Sequence, residues 1–407
     1  MTFPIDFVRS QFPGLSNDMI LMDNAGGSQT LQTVVDRVGH YLIHHDVQLG
    51  ASYGTSAEAG LVLDDAVAAV QLWINAQAKE EVIIGPSTTA LLRILSLCLA
   101  QQWQADDEII ISDVDHEANR ACWKSLEKQG FVIKTWCINT DTMRLETDDL
   151  LALMTDKTRL VCVTHVSNVL GNINPIKDWA QLVHDQGAQI CVDGVAYAPH
   201  RSIDVQDWDV DYYVFSTYKT FGPHQAVMYG KQALLEAMPG INHEFITTSP
   251  YKFQPGNLNY ELSYSLKGVV EYLCQLSTGS GSDAMELNRE NLGKAFDQIA
   301  SHEATLVQKL IDFINSKPQL RVIGANTADP AQRVATLSFA HESMDSKDIV
   351  EAVDPHKIGI RFGDFYAVEL VKTLGLAEQN GVVRVSLAHY NTEAEMDKLI
   401  YVLGSVV

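Results

Sequence analysis

Seven short runs, apolar on both faces, recur through the first two-thirds of the chain, and helix-like segments separate them. They are EVIIG (81–85), EIIIS (108–112), FVIKTWCI (131–138), RLVCVTHV (159–166), QICVDG (189–194), YYVFS (212–216) and AVMYG (226–230). A strand without a polar face has to be covered on both sides, which in practice means by helices. Candidates for that cover are TTALLRILSLCLAQQW (88–103), HEANRACWKSLEKQG (116–130) and PIKDWAQLVHDQG (175–187). The alternation predicts an α/β fold with a mostly parallel, doubly wound, seven-stranded sheet. Ligands of such sheets bind beyond the carboxyl ends of the strands, so polar residues just after those strands are the candidates for chemistry.

After about residue 240 the rhythm changes. A Gly/Ser-rich piece, STGSGSDAMELNRENLG (277–293), reads equally as a linker or as a loop entering a helix, and a helical stretch follows from about 286 to 316. RVATLSFAH (333–341), a helix candidate near 346–353, GVVRVSLAHYNT (381–392) and a closing helix suggest a second, smaller α+β domain. Hydrophobic residues make up 46% of the 407, enough for a sizeable core. The net charge of −22 repels phosphate backbones and anionic lipid, so neither nucleic acid nor a membrane surface is expected as a partner. Six cysteines, at 98, 122, 137, 162, 191 and 274, show no CxxC or metal-ligand spacing, which argues against a disulfide scaffold, a redox pair or a zinc site. The opening MTFPIDFVRS lacks a basic and an apolar signal region, and a cytoplasmic location is expected.

The chemistry is concentrated in CVDGVAYAPHRSIDVQDWDVDYYVFSTYKTFGPH (191–224). Asp193 ends one apolar strand and Lys219 follows another by three residues. A carboxylate and a lysine at neighbouring strand ends can hold a pyridinium nitrogen and bond an aldehyde. On these residues alone, an Asp-Gly turn and a solvated loop lysine remain equally open.

The segment resembles the pyridoxal phosphate site of the class V aminotransferase family, in its cysteine desulfurase and selenocysteine lyase branch. The resemblance rests on the V-D-G strand end, followed 26 residues later by the lysine of VFSTYKTFGP. It extends to LMDNAGGSQ (21–29), VDHEAN (114–119), VSNVLGNINPI (166–176) and VRVSLAHYNTEAEMDKLI (383–400), in order along nearly the whole chain. It implies a fold type I transferase, with a large domain over 20–285 and a small domain made of 1–19 and 286–407. It also implies a small α-amino acid substrate, and a homodimer with shared active sites.

By resemblance, Lys219 is the Schiff-base lysine, Asp193 the partner of the pyridine nitrogen, and His116 the group stacked on the ring. Asn168 would reach the phenolic oxygen or the substrate carboxylate. Thr88 and Thr89 open a helix suited to a phosphate, and Ser216 and Tyr218 add hydroxyls. Ser87 stands where the family often has glycine, so a hydroxyl is gained there. Gly256 and Asn257 stand where a dimer partner supplies a phosphate contact. Arg384 resembles the substrate-carboxylate arginine, beside Asn24 and Ala25, and a guanidinium fork suits that ligand. Arg361 opens the small-domain loop that borders the same substrate region.

Three positions depart from the family pattern. Ala196 replaces a glutamine that bonds the phenolic oxygen, and Tyr218 replaces the histidine before the lysine. In the loop reading R-x-G-H-H-C, this chain has Arg361-Phe362-Gly363-Asp364-Phe365-Tyr366, so tyrosine stands where the sulfur-accepting cysteine belongs. A phenol cannot carry a persulfide. The expectation is therefore a class V aminotransferase, or a C–S or C–Se lyase whose leaving group departs unaided. A non-catalytic regulatory protein that binds pyridoxal phosphate is the alternative. A dinucleotide enzyme is excluded because no G-x-G-x-x-G follows a strand. Tyr53, Tyr197, Tyr260, Phe365 and Tyr366 are candidates for shaping the pocket. No metal is expected.

Overall fold

The computed structural model describes residues 3–279 and 286–407. All seven runs are strands of one sheet: Val82–Gly85, Glu108–Ser112, Val132–Trp136, Thr158–Thr164, Gln189–Asp193, Tyr212–Ser216 and Ala226–Gly230. Their side chains alternate between two separate hydrophobic clusters. Ile84, Ile110, Val161, Val163, Val192 and Phe215 enter one, while Ile83, Ile109, Ile111, Cys162, Cys191 and Val214 enter the other. This is the period of two expected of a strand buried on both faces. Helices Gly54–Ile74, Ile176–Asp185 and Tyr260–Leu276 cover the first face, and Thr88–Leu99, Ala118–Lys124 and Gln232–Ala237 cover the second. The helix expected over 116–130 is interrupted: an α-helical Ala118–Lys124 tightens into a 3₁₀ turn at Ser125–Gln129 and stops at Gly130, in the left-handed region.

One strand breaks the parallel order. Ala226–Gly230 runs antiparallel between Val82–Gly85 and Tyr212–Ser216, and Ala226 pairs with Gly85 on one side and Ser216 on the other. The carboxyl ends of two strands far apart in sequence are thereby held on either side of one intervening strand, at the same edge of the sheet.

The C-terminal part forms a four-stranded antiparallel sheet in the order Arg361–Gly363, Val382–Ser386, Thr336–His341, Leu320–Ile323. Helices Arg289–Asn315, Ser346–Val353 and Glu393–Val406 pack on it. The long helix starts at Arg289, with Asn288 as its cap; residues 280–285 of the Gly/Ser-rich piece, and with them the expected boundary at 285, lie outside the described residues. Leu292, Phe296 and Ile299 of this helix belong to the large core, and Leu306, Leu310 and Ile314 to the small one. The N-terminal segment is divided too: Val8 and Phe12 sit in the large core, whereas Met22 packs in the small one and Ile20–Leu21 pairs with Ile358–Gly359.

The joint between the two sheets is tight at Gly171. Its φ is +70°, and a Cβ there would overlap the carbonyl oxygen of Thr336. A Gly171→Ala substitution is expected to destabilise the protein by about 3 kcal/mol, combining left-handed strain with overpacking. The urea unfolding midpoint measures it.

Candidate active site

The sheet register assembles the site. Thr164 pairs with Asp193, Asp193 with Val214, and Ser216 lies one strand from Gly85. These strand ends and the segments that follow them border a cavity of about 90 Å³, lined among others by Thr88, Thr89, His116, Asn168, Asp193, Ser216, Tyr218 and Lys219. Eight of the thirteen residues anticipated for the site therefore share one space.

Asp193 is 3% exposed, and its Oδ1 accepts the Val195 N–H at 2.9 Å. Burial raises its carboxyl to about 6, against the lowering effects of that bond and of the Lys219 charge. Lys219 sits on a short turn, Thr217–Lys219, which the Thr217 hydroxyl pins by donating to Pro223 (2.7 Å) and Gln225 (2.9 Å) carbonyls. Burial, and then the Arg384 cation, push its ammonium down to about 8, while Asp193 and Asp23 oppose that shift. Lys219 makes no ion pair among the described residues, so its amine is held near a carboxylate without being locked to it.

At the start of helix Thr88–Leu99, the Ser87 hydroxyl accepts the Ala90 N–H at 3.1 Å. The hydroxyl gained at position 87 is thus used as an N-cap. The Thr88 and Ser216 hydroxyls meet at 2.8 Å across the gap set by the antiparallel strand. His116 accepts the Ala118 N–H on Nδ1 at 3.0 Å, which places the proton of the neutral ring on Nε2. Burial, then Lys219 and Arg384, lower its pKa to about 4. Asn168 donates to the Phe365 carbonyl at 2.9 Å, while its Oδ1 is buried without a partner. An unpaired buried acceptor is costly, and this one belongs to a residue that lines the cavity. Tyr218 stacks on His224 with ring centroids 4.9 Å apart.

Arg384 is 2% exposed and already engaged. It donates to Asp23 Oδ1 at 2.8 Å and to the Asn168 carbonyl at 3.2 Å, and the Phe365 ring lies 3.7 Å from its guanidinium carbon. Its Nε is buried without a partner. Arg361 is the cross-strand neighbour of Arg384, but exposed, with Nη1 3.7 Å from Asp23 Oδ2. Asn24 donates to the Leu21 (3.2 Å) and Ser386 (3.0 Å) carbonyls and accepts the Tyr390 hydroxyl, and the Ala25 N–H is taken by Ser386 Oγ at 2.9 Å. Both brace the 20–25 segment against the small sheet.

Asn257 does not reach the cavity of its own chain. It donates to Gln48 at 3.1 Å and lines a neighbouring hollow with Pro86 and His224. Of the pocket-shaping candidates none lines the cavity. Tyr53 is exposed, Tyr260 lies against Tyr41, and Tyr197 stacks on His165 at 3.6 Å. Phe365 and Tyr366 form the rim, Tyr366 with its ring centroid 5.3 Å from His116. Asp23 and Asp115 were not anticipated. Asp115 is fully buried, raised to about 7 chiefly by burial, and held by Ser112 and Asn119. Its place just before His116 in VDHEAN was the available signal, as was that of Asp23 before Asn24.

The Aminotransferase class-V family profile matches residues 20–399. Among curated proteins, the chain is 41% identical to the aminotransferase-like protein FGM3 of Gibberella zeae, over 100% of this chain and 99% of that one. It is 34% identical to the cysteine desulfurase-like protein ustD of Aspergillus flavus, over 99% of this chain and 90% of that one. Among solved structures, the apo cysteine desulfurase of Thermococcus onnurineus superposes with a TM-score of 0.88 at 23% identity, covering 100% of this chain and 98% of that one.

The shift at His116 has a signed consequence for stability. The unfolded ring takes a proton near its ordinary 6.5 and the folded ring only near 4, so acidification through that window favours unfolding. Asp193 and Asp115 act in the opposite sense, because their folded carboxyls bind protons at higher pH than the unfolded ones. Between about pH 6.5 and 4.5, His116→Gln is expected to lose less stability than the wild type. Paired denaturant titrations at the two pH values give the difference.

Proposed function

This chain belongs to the class V aminotransferase family of pyridoxal phosphate enzymes, and we propose that it acts on a small α-amino acid through Lys219, without a persulfide cysteine. The unpartnered Asn168 Oδ1 beside the buried Asp193 and Lys219 carries this reading. These groups fit a ring that presents a hydroxyl, a cationic nitrogen and an aldehyde, and the Thr88–Ser216 hydroxyl pair at a helix start fits its phosphate. Bound there, pyridoxal phosphate supplies a sink for the electron pair left on the substrate α-carbon.

The chain's own residues do the rest. Asp193 would hold the ring nitrogen in its protonated form, and His116, lowered to about 4 by burial, would present a neutral imidazole to the ring. Lys219 is the amine that would hold the aldehyde, and burial with the Arg384 cation, which lowers its ammonium to about 8, suits it to take and return the α-proton. Arg384 orients the substrate carboxylate, which exchanges with Asp23 for the guanidinium fork. Arg361 adds positive potential at the same mouth.

The cysteines support a route without a persulfide. Cys98, Cys122, Cys162, Cys191 and Cys274 are buried, Cys137 is exposed, and none lines the cavity. A homodimer completes the reading. Leu42, Ile43, Tyr53 and Leu61 are exposed on or beside helices Gln32–His44 and Gly54–Ile74, and Asn257 lies next to the phosphate seat but outside it.

The purified protein is expected to absorb near roughly 410–430 nm, and Lys219→Ala to abolish that band. A band that survives the substitution as a lysine adduct would disprove the lysine assignment. Arg384→Lys, which loses the fork, is expected to raise KM for the amino acid about 10–100-fold. Assays with candidate amino acids that follow pyruvate, sulfide or selenide against pyridoxamine phosphate identify the reaction.

A further inference from the structure

Behind Lys219 lies a second, narrower hollow, bounded by Asn24, Ala196, His200, Thr336 and Lys219 itself, with room for roughly one water. His200 is 4% exposed, and its Nδ1 faces both oxygens of Glu303, at 2.8 and 3.0 Å. Glu303 comes from the long helix Arg289–Asn315 and is 1% exposed. A carboxylate on Nδ1 fixes the hydrogen there and leaves the lone pair on Nε2. Nε2 has no partner among the described residues, on a ring that borders the same hollow as the lysine.

We propose that His200, oriented by Glu303, is a proton relay for Lys219. The proposal rests on Lys219 being the α-proton base. After Lys219 has taken the substrate proton it is an ammonium. One of its protons passes through a water to His200 Nε2, leaving a neutral amine and an imidazolium facing the Glu303 carboxylate. The reverse transfer returns the proton. The other groups around the ring are the Arg201 guanidinium, 3.5 Å from Glu303 Oε2, and His389, which is fully buried and whose Nε2 is bound to the Tyr272 hydroxyl at 2.6 Å. Arg201 tempers the carboxylate without reaching the hollow. His200 is thus a positioning and relay residue, and Lys219 keeps the contact with the reacting atoms.

The test uses His200→Asn, whose amide can still donate to Glu303 but is not a base, and Glu303→Gln. In cofactor-free protein, ¹⁵N-imidazole spectra should show His200 as the Nδ1–H tautomer, with an Nε2 resonance that moves in Lys219→Ala. In the holoenzyme in D₂O, exchange of the L-alanine α-proton should slow at least about tenfold in His200→Asn and recover with added imidazole. Exchange at the wild-type rate, no recovery with imidazole, or an Nε2–H tautomer would overturn the relay. If His200→Asn does not fold, Glu303→Gln carries the same exchange measurement, and a wild-type rate there overturns it equally. A 410–430 nm band that survives Lys219→Ala instead removes the lysine assignment and the relay with it, whereas a band lost in that variant with unchanged exchange in His200→Asn removes the relay alone.

Discussion

An enclosed pair of opposite charges, Asp193 and Lys219, sets the terms for the rest of the structure. Each is pushed toward its neutral form by burial and held back from it by the other. Such a pair persists only where geometry is fixed from outside, because removing either charge leaves the other uncompensated. The fixing is done by adjacent parallel strands, in which Asp193 pairs with Val214 and the lysine follows three residues after Ser216. A slip of one residue would turn Asp193 to the opposite face of the sheet, into apolar helices. The alternating apolar pattern that buries both faces is therefore also what aims the charges.

The antiparallel strand Ala226–Gly230 extends the same control to the Thr88–Ser216 side of the cavity. With Ala226 as spacer, Ser216 and the helix that begins after Gly85 converge, although they lie about 130 residues apart in sequence. A third device acts at Arg384. The 20–25 segment crosses from the small core to the cavity, stitched by Asn24, Ser386 and Tyr390, and delivers Asp23 to Arg384. A carboxylate of the protein thus keeps the guanidinium oriented and compensated, which a buried arginine requires.

Much of this was legible in the sequence because it repeats locally. All seven strands of the large sheet could be read from runs without a polar face, and Asp193, Ser216 and Lys219 stand directly at their ends. The places of His116 and Asn168 in the cavity were legible only through resemblance, since a histidine after Asp115 or an asparagine after Ser167 carries no local signal of direction. The antiparallel insertion, the division of helix Arg289–Asn315 between two cores, and the Asp23–Arg384 pair depend on contacts across more than a hundred residues. No period in the chain encodes them. The interruption of the helix at Ser125–Gln129 follows from Gly130, whose φ of +92° suits glycine at a helix end.

None of the six cysteines lines the cavity. Four of them pack in the hydrophobic cluster on one face of the sheet or beside it, where Cys98, Cys122 and Cys162 have their thiols raised by burial and are poor nucleophiles. At the rim, the loop instead presents Phe365 and Tyr366, both in the left-handed region at φ +53° and +62°. Backbone of that kind in bulky residues persists only when held. Here it is held by Asn168, which donates to the Phe365 carbonyl, and by the Glu117 N–H, which donates to the Tyr366 carbonyl. The strain thus positions an aromatic ring over Arg384 and another beside His116. The loop beside His116 and Arg384 thus presents two aromatic rings and no thiol.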